Sequence, residues 1–383
     1  MGQRRRGWGE GSVYERKDGK FVAQVSYLDE ASGKRRYRRA TAATRRLAVA
    51  KLKELEAQAA TEGAQTPITF ENFFRAWVAD VLPEQVKEST RENYLTIAKA
   101  YLFPALGRLP LERVSPAEIQ RILRSIADSG RSPRTAQLAY AVLHRSLEYA
   151  VRSDQLANNP CSKVDRPRSK SREMATLSRA ELDALLRAAT DDRLGAIFVL
   201  AVSTGMRKGE LLALKWSDVD LDRAELHVRS TLRRSPDKGL VTDAPKTRQS
   251  RRVVVLPALA TSALGAHKRR QAEEQLEAGP AWHRTGHVFA TEIGTPIDPR
   301  NLDRTWHRVR EAAGISDSVR FHDLRHSAAT FLLESGVPIE IISKLLGHSG
   351  VRVTADVYGH LTRRLQEAAA AAMDGVLGGS STK

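Results

Sequence analysis

Residues 159–173, NPCSKVDRPRSKSRE, put two prolines and a dense run of lysine and arginine into one short stretch. Proline interrupts a helix and removes a ladder donor from a strand, so no regular element runs through this segment. The 383-residue chain must therefore build separate cores on either side of it. At about 150 residues per domain the length suits two to three domains, each able to bury a core.

The stretch before the boundary divides again. Residues 1–62 read as a small basic module of three short strands, at 12–16, 21–28 and 35–41, and one helix with Ala48, Leu52 and Leu55 on one face. Asp18-Gly19 and Ser32-Gly33 supply the turns. The module holds 15 basic residues against 8 acidic. Arg35, Arg36, Arg38 and Arg39 crowd the third strand, where a period of two sends them to both faces. They fit either a solvated sheet face or a sheet laid in a nucleic-acid groove.

After a polar linker at 63–67, residues 68–158 predict four helices. Phe70, Phe73, Phe74, Trp77, Val78 and Val81 follow a helical stripe, as do Tyr94, Ile97, Ala98 and Tyr101. Ser115-Pro116-Ala117-Glu118 is a capping box opening a third helix, and Ser132-Pro133 opens a fourth. These stripes are core. Lys87, Arg91, Lys99, Arg131 and Arg134 fall between them, and Arg166 and Arg168 in the basic segment, all in positions suited to phosphates.

Residues 174–383 are mixed. Ser178-Arg179-Ala180-Glu181 is a second capping box, and an apolar helix at 194–203 ends at Gly205. Strands are expected at 225–230, 240–243 and 252–256. Helices follow near 258–277, 300–313, 322–334 and 339–346, with an alanine-rich tail helix at 365–373. Gly336 and Gly347 stand where helix C-caps would.

Composition narrows the function. Lys plus Arg number 62 and Asp plus Glu 45, a net charge of +17 that points to a polyanion. Nucleic acid leads, an anionic membrane surface follows, and a solubilising excess is the bland alternative. The lone Cys161 excludes an intrachain disulfide and a cysteine-based zinc site, and suits a reducing cytoplasm or nucleoid. No apolar run approaches the roughly 18 residues of a spanning helix. Arg6 stands where a myristoylation motif needs Ser or Thr, so no membrane partner is expected.

No G-x-x-x-x-G-K-S/T loop is present, and nucleotide hydrolysis is unsupported. His322 and His326 have zinc-ligand spacing, but Arg325 between them opposes a cation, and no metal site is expected. What remains is a set of cationic donors. Ser203-Thr-Gly-Met-Arg-Lys-Gly-Glu210 places Arg207 at the start of a helix, where backbone N–H groups and a guanidinium converge on an anion. Phe321-His-Asp-Leu-Arg-His326 puts His322 and Arg325 on one helical face. Leu345-Leu-Gly-His-Ser349 is followed by Tyr358 ten residues after His348.

These segments together resemble the tyrosine recombinases of the phage integrase family. The family pattern Arg, Lys, His-x-x-Arg, His/Trp, Tyr reads here as Arg207, Lys246, His322, Arg325, His348 and Tyr358. The resemblance implies a small β3α arm-type DNA-binding domain at 1–62 and an all-α four-helix core-binding domain at 68–158. It also implies a basic linker at 159–173 and a mixed, mainly helical α+β catalytic domain at 174–383. It further implies a site-specific recombinase that works on duplex DNA as a homotetramer, at core and arm attachment sites. An excisionase or DNA-bending protein would assist. Two alternatives stay open: a type IB topoisomerase-like enzyme and a DNA-binding regulator that has lost catalysis.

The implied chemistry suits the residue types. Arg207 and Arg325 would offer two planar donor forks to the phosphate as it becomes pentacoordinate. Tyr358 would attack phosphorus, leaving a 3′-phosphotyrosine and a free 5′-hydroxyl. A phenol with a pKa of about 10 needs a proton acceptor at neutral pH, and the resemblance assigns His322 to that task. His348 would position the phosphate. Lys246, placed at the tip of a hairpin between two strands, would protonate the leaving 5′-oxygen. Glu210 would orient Arg207, and His326 and His360 would be structural. The covalent intermediate keeps the phosphodiester energy, so neither ATP nor a metal cofactor is implied.

Overall fold

The computed structural model describes residues 11–16, 18–29, 34–63, 68–168, 175–244 and 251–347, and residues 370, 373 and 374. The chain divides into two compact units, Met1–Lys170 and Ser171–Lys383.

The first unit opens with an antiparallel sheet of β1 (Ser12–Glu15), β2 (Phe21–Asp29) and β3 (Lys34–Ala42), with β2 in the centre. The Asp18-Gly19 signal is a real turn, and Gly19 takes the left-handed φ of 78° that closes it. The Ser32-Gly33 turn lies outside the described residues. Helix α1 (Arg45–Gly63) packs on the sheet, and Ala48, Val22, Ala23 and Val25 are all buried. Arg38 pairs across the ladder with Val25, and Arg39 with Gln24, to which its Nε donates at 2.7 Å.

The helical part that follows buries the expected stripes. Helix α2 (Phe70–Ala76) runs on through a π turn at Trp77–Val81 and a 3-10 turn at Leu82–Glu84. Helix α3 (Glu88–Ile97) does the same through a π turn at Ala98–Leu102 into α4 (Phe103–Leu106). Trp77 stacks on Tyr94 at 6.0 Å, and the Arg145 guanidinium lies over the same Tyr94 ring. Helix α5 (Pro116–Asp128) starts at the expected capping box: Ser115 and Glu118 bond each other's backbone N–H. Helix α6 (Pro133–Arg152) begins at Ser132-Pro133.

The stretch expected to be linker from 159 onward is partly core. Cys161 is fully buried, Val164 nearly so, and the Cys161 carbonyl accepts from Tyr140 Oη at 3.1 Å. The Asn159 side chain caps this turn by accepting from the Cys161 N–H at 3.0 Å. Two apolar residues between the polar ones hold the segment down.

The second unit has α8 (Gly195–Thr204) at its centre, buried on all sides as its uninterrupted apolar sequence requires. Helices α7 (Arg179–Thr190), α10 (Ala258–Ala278) and α12 (Asp323–Glu334) pack around it. The Ser178 capping box of α7 is present in full. Helix α9 (Lys208–Ala213) follows α8 after a sharp turn, α11 (Pro299–Ala312) packs on α7, and α13 (Ile339–Leu346) packs on α12.

Strands β4 (Val219–Asp220), β5 (Glu225–Val228) and β8 (Arg252–Val255) form one antiparallel sheet, and β6 (Thr231–Ser235) pairs with β7 (Gly239–Asp243). This corrects the expected hairpin. The 240–243 and 252–256 strands do not pair: β7 pairs with β6, and β8 with β5. The turn signal Pro236-Asp237-Lys238-Gly239, with Gly239 at φ 72°, closes β6 onto β7 instead. Lys246 lies outside the described residues.

Among the described residues no helix is long and apolar enough to cross a membrane. The expected tail helix at 365–373 falls almost wholly outside them.

Candidate active site: an arginine cluster at the end of helix α13

The site begins with a glycine. Gly205 caps α8 at φ 62°, a conformation that favours glycine, and a Cβ there would lie 2.3 Å from the Leu346 side chain. The turn throws Arg207 to the N-terminus of α9. Gly209 lets α9 close on β6: a Cβ would stand 2.4 Å from Thr231 Oγ1 and 2.7 Å from the Leu232 carbonyl.

Glu210, three residues on, is 4% exposed. Its Oε2 accepts from the Arg207 backbone N–H at 3.0 Å, and its Oε1 from Arg207 Nη1 at 2.8 Å. Arginine has no acceptor to return, so this is the glutamate half of a capping box. The same carboxylate accepts from Arg252 Nη2 at 3.0 Å. Burial alone would raise the Glu210 pKa, but the charge and hydrogen bond of Arg252, then those of Arg207, hold it below its ordinary value. One ionised carboxylate thus anchors two guanidiniums.

Arg325 comes from the first turn of α12 and is 3% exposed. Its Nη1 donates to the Gly205 carbonyl at 2.6 Å and its Nη2 to the Leu346 carbonyl at 2.7 Å. Arg207 Nη2 donates to the Gly347 carbonyl at 3.1 Å, and Arg252 Nε to the Leu345 carbonyl at 2.5 Å. Three guanidiniums from three elements therefore hold three successive carbonyls at the C-terminal end of α13. Those carbonyls carry the negative end of the helix dipole and have no partners further along the helix. Gly347 ends α13 in the left-handed conformation, as its position predicts, and His348 follows in sequence.

His322 is the N-cap of α12 and is exposed overall, with its ring edge-on to His326 at 5.4 Å between centroids. Partial burial of the ring, then the nearby His326 and Arg325 charges, lowers its pKa, so the neutral imidazole dominates at neutral pH. The pKa of His326 is lowered too, chiefly by burial. Among the described residues no group of three or more His, Cys, Asp or Glu side chains could hold a metal.

The structure thus brings Arg207, Glu210, His322 and Arg325 into the second unit's loop-and-helix-end cluster. Lys246, His348 and Tyr358 lie outside the described residues. The other candidates belong to the first unit. Lys87, Arg131, Arg134, Arg166 and Arg168 are exposed, and Arg38 is half-buried. Arg91 is half-buried, and its Nε is covered without a hydrogen-bond partner. Arg134 Nη1 donates to Gln137 at 2.5 Å. Arg35 and Arg36 lie in β3 opposite Leu28 and Tyr27; their side chains are outside the described set. Arg252 was missed by sequence reasoning, although a signal existed. Val254 and Leu256 are buried while Val253 and Val255 are exposed, so the period of two puts Arg252 on the inner face.

Residues 175–364 match the phage integrase family, and residues 70–167 the phage integrase central domain. A tyrosine recombinase XerC-like protein of Caldanaerobacter subterraneus subsp. tengcongensis is 33% identical over 312 residues, covering 77% of this chain and 80% of that protein. An integrase of Streptomyces ambofaciens is 31% identical over 388 residues, 97% of this chain and 98% of its own. A solved lambda integrase tetramer bound to a Holliday junction shares the fold, with a TM-score of 0.55 and 22% identity over 88% of this chain and 95% of that one.

Proposed function

Because this chain belongs to the phage integrase family of tyrosine recombinases, we propose that it cuts duplex DNA with Tyr358 and rejoins it through a 3′-phosphotyrosine linkage. The enzyme is a site-specific DNA recombinase of the kind that moves mobile elements. The observation that carries the assignment is the convergence of Arg207 and Arg325, from distant segments, on adjacent carbonyls one and two residues before His348. Two cationic forks that face the same point, Arg325 buried and Arg207 open to a ligand, are what a developing pentacoordinate phosphate requires.

In this reading the two arginines stabilise the non-bridging oxygens, and His348 adds a donor. Neutral His322 accepts the Tyr358 proton, a task for which its lowered pKa suits it. Lys246 protonates the 5′-oxygen as it leaves. Reversal by a 5′-hydroxyl from the partner strand reseals the backbone. The sheet module at 1–62 binds arm-type sites and the helical region from 68, a four-helix core-binding domain, binds the core site. Arg35, Arg36, Arg38, Lys87, Arg91, Arg131, Arg134, Arg166 and Arg168 supply phosphate contacts. Four copies assemble on two sites, as the lambda integrase tetramer does on its junction.

The test is a suicide substrate whose cleaved strand loses a short fragment and cannot be resealed. Tyr358→Phe should bind this DNA with unchanged affinity and form no covalent adduct. Undiminished adducts in that variant would refute the nucleophile. A plasmid with two cognate sites separates recombination from topoisomerase activity, which would change linking number without either site.

A further inference from the structure

We infer that Arg252 is a positioning residue for strand cleavage: it holds Glu210, which holds Arg207, and it ties both to the end of α13 that leads into residues 348–358. The inference rests on the reading of Arg207 and Tyr358 given above. Arg252 is the first residue of β8 and faces inward with Val254, opposite Val228 of β5. Its side chain is 7% exposed, less than that of Arg207 at 37%, so it reaches Glu210 but is screened from a ligand.

The geometry uses the shape of the guanidinium. Arg252 Nη2 meets the Glu210 carboxylate at 3.0 Å while Nε meets the Leu345 carbonyl at 2.5 Å. One rigid plane thereby fixes the distance between the carboxylate and the helix end. Arg207 spans the same two partners one step along, from Glu210 Oε1 to the Gly347 carbonyl. A lysine would keep the charge but could not reproduce the planar two-pronged grip. Without Arg252 the carboxylate answers to one guanidinium, and Arg207 and the end of α13 can drift apart. Displacement of about 1 Å at a reacting centre can cost a hundredfold in rate.

The experiment is single-turnover cleavage of the suicide substrate by the full chain, on two versions of the scissile phosphate. One is the natural phosphodiester and the other a methylphosphonate, which lacks the negative charge that the arginine forks stabilise. Arg252→Met should slow phosphodiester cleavage roughly ten- to a hundredfold, with DNA affinity unchanged because the side chain touches no phosphate. The deficit should shrink markedly on the methylphosphonate. Arg252→Lys, which keeps the buried charge, should show the same substrate-dependent deficit at smaller size. It carries the test alone if Arg252→Met does not fold. Wild-type rates in both variants, or a loss equal on both substrates, would overturn the inference and leave Arg252 a structural cap of α13. Adducts surviving in Tyr358→Phe would overturn the nucleophile assignment instead, and so are told apart from a failure of Arg252.

Discussion

At the scale of single residues the site is organised by one carboxylate. Glu210 is buried, ionised and shared by Arg207 and Arg252. Glu210→Gln keeps the shape but removes the carboxylate charge that Arg207 and Arg252 share. Breaking such a pair costs on the order of 3 kcal/mol of stability. Chemical denaturation should show that loss, and adduct formation should fall with it. In the proposed mechanism His322 sets the acid limb of the reaction. Its pKa is lowered from 6.5 by burial and by neighbouring cations. The neutral, proton-accepting form therefore remains the majority at pH 6.5, and the half-point of the acid limb of cleavage should lie below pH 6.5. A rate already halved at pH 6.5 or above would contradict the assignment. Arg207, Arg325 and His322 could be nominated from the sequence because their spacing repeats a family pattern. Arg252 was not nominated, because its meaning depends on a strand partner and on a helix end that lies 93 residues away.

At the scale of elements, the two glycines of T-G-M-R-K-G-E-L are steric requirements. Gly205 admits Leu346 and takes a left-handed φ; Gly209 admits β6 against α9. Gly209→Ala should destabilise the enzyme by about 1–3 kcal/mol through overpacking, seen as a lower melting temperature, and should slow cleavage because α9 carries Arg207. Helix starts were read well where capping chemistry marks them, at Ser115 and Ser178. Pairing of strands was read poorly. Among the described residues the stretch from 225 to 256 holds four strand segments in two sheets, and period-two patterning finds strands without saying which neighbours they choose. The Pro236–Gly239 turn was the missed clue. The π turns after α2 and α3 leave the apolar stripe intact, so periodicity predicted burial there while missing the change in helical geometry.

At the scale of the whole molecule, charge and burial make separate predictions. A net charge of +17 makes DNA binding a counterion-release process, and affinity should fall steeply with salt. Arg131→Ala, if it removes one phosphate contact, should reduce the slope of log K against log salt by about 1. A slope that does not change would remove Arg131 from the DNA surface. Stability should respond to acid. His267 and His287 are buried, and burial lowers both pKa values from 6.5. The unfolded chain then binds protons that the folded chain refuses, so stability is retained above pH 6.5 and lost as pH falls through the folded values. Calorimetry of the full chain between pH 7.5 and 5.5 should show a falling melting temperature. The division into two compact units near residue 170 was legible, since prolines and a charge run mark where one core stops. The segment from Asn159 to Val164 was not, because two buried apolar side chains, Cys161 and Val164, outweigh the polar residues around them.

The most direct test is to identify the atom that holds the DNA. The full-length enzyme would be trapped on a half-site suicide substrate, digested, and the nucleotide-bearing peptide sequenced by mass spectrometry. The account predicts a 3′-phosphate ester on the Tyr358 oxygen and a free 5′-hydroxyl on the released strand. Attachment at any other residue, or a 5′-linked phosphate, would contradict it.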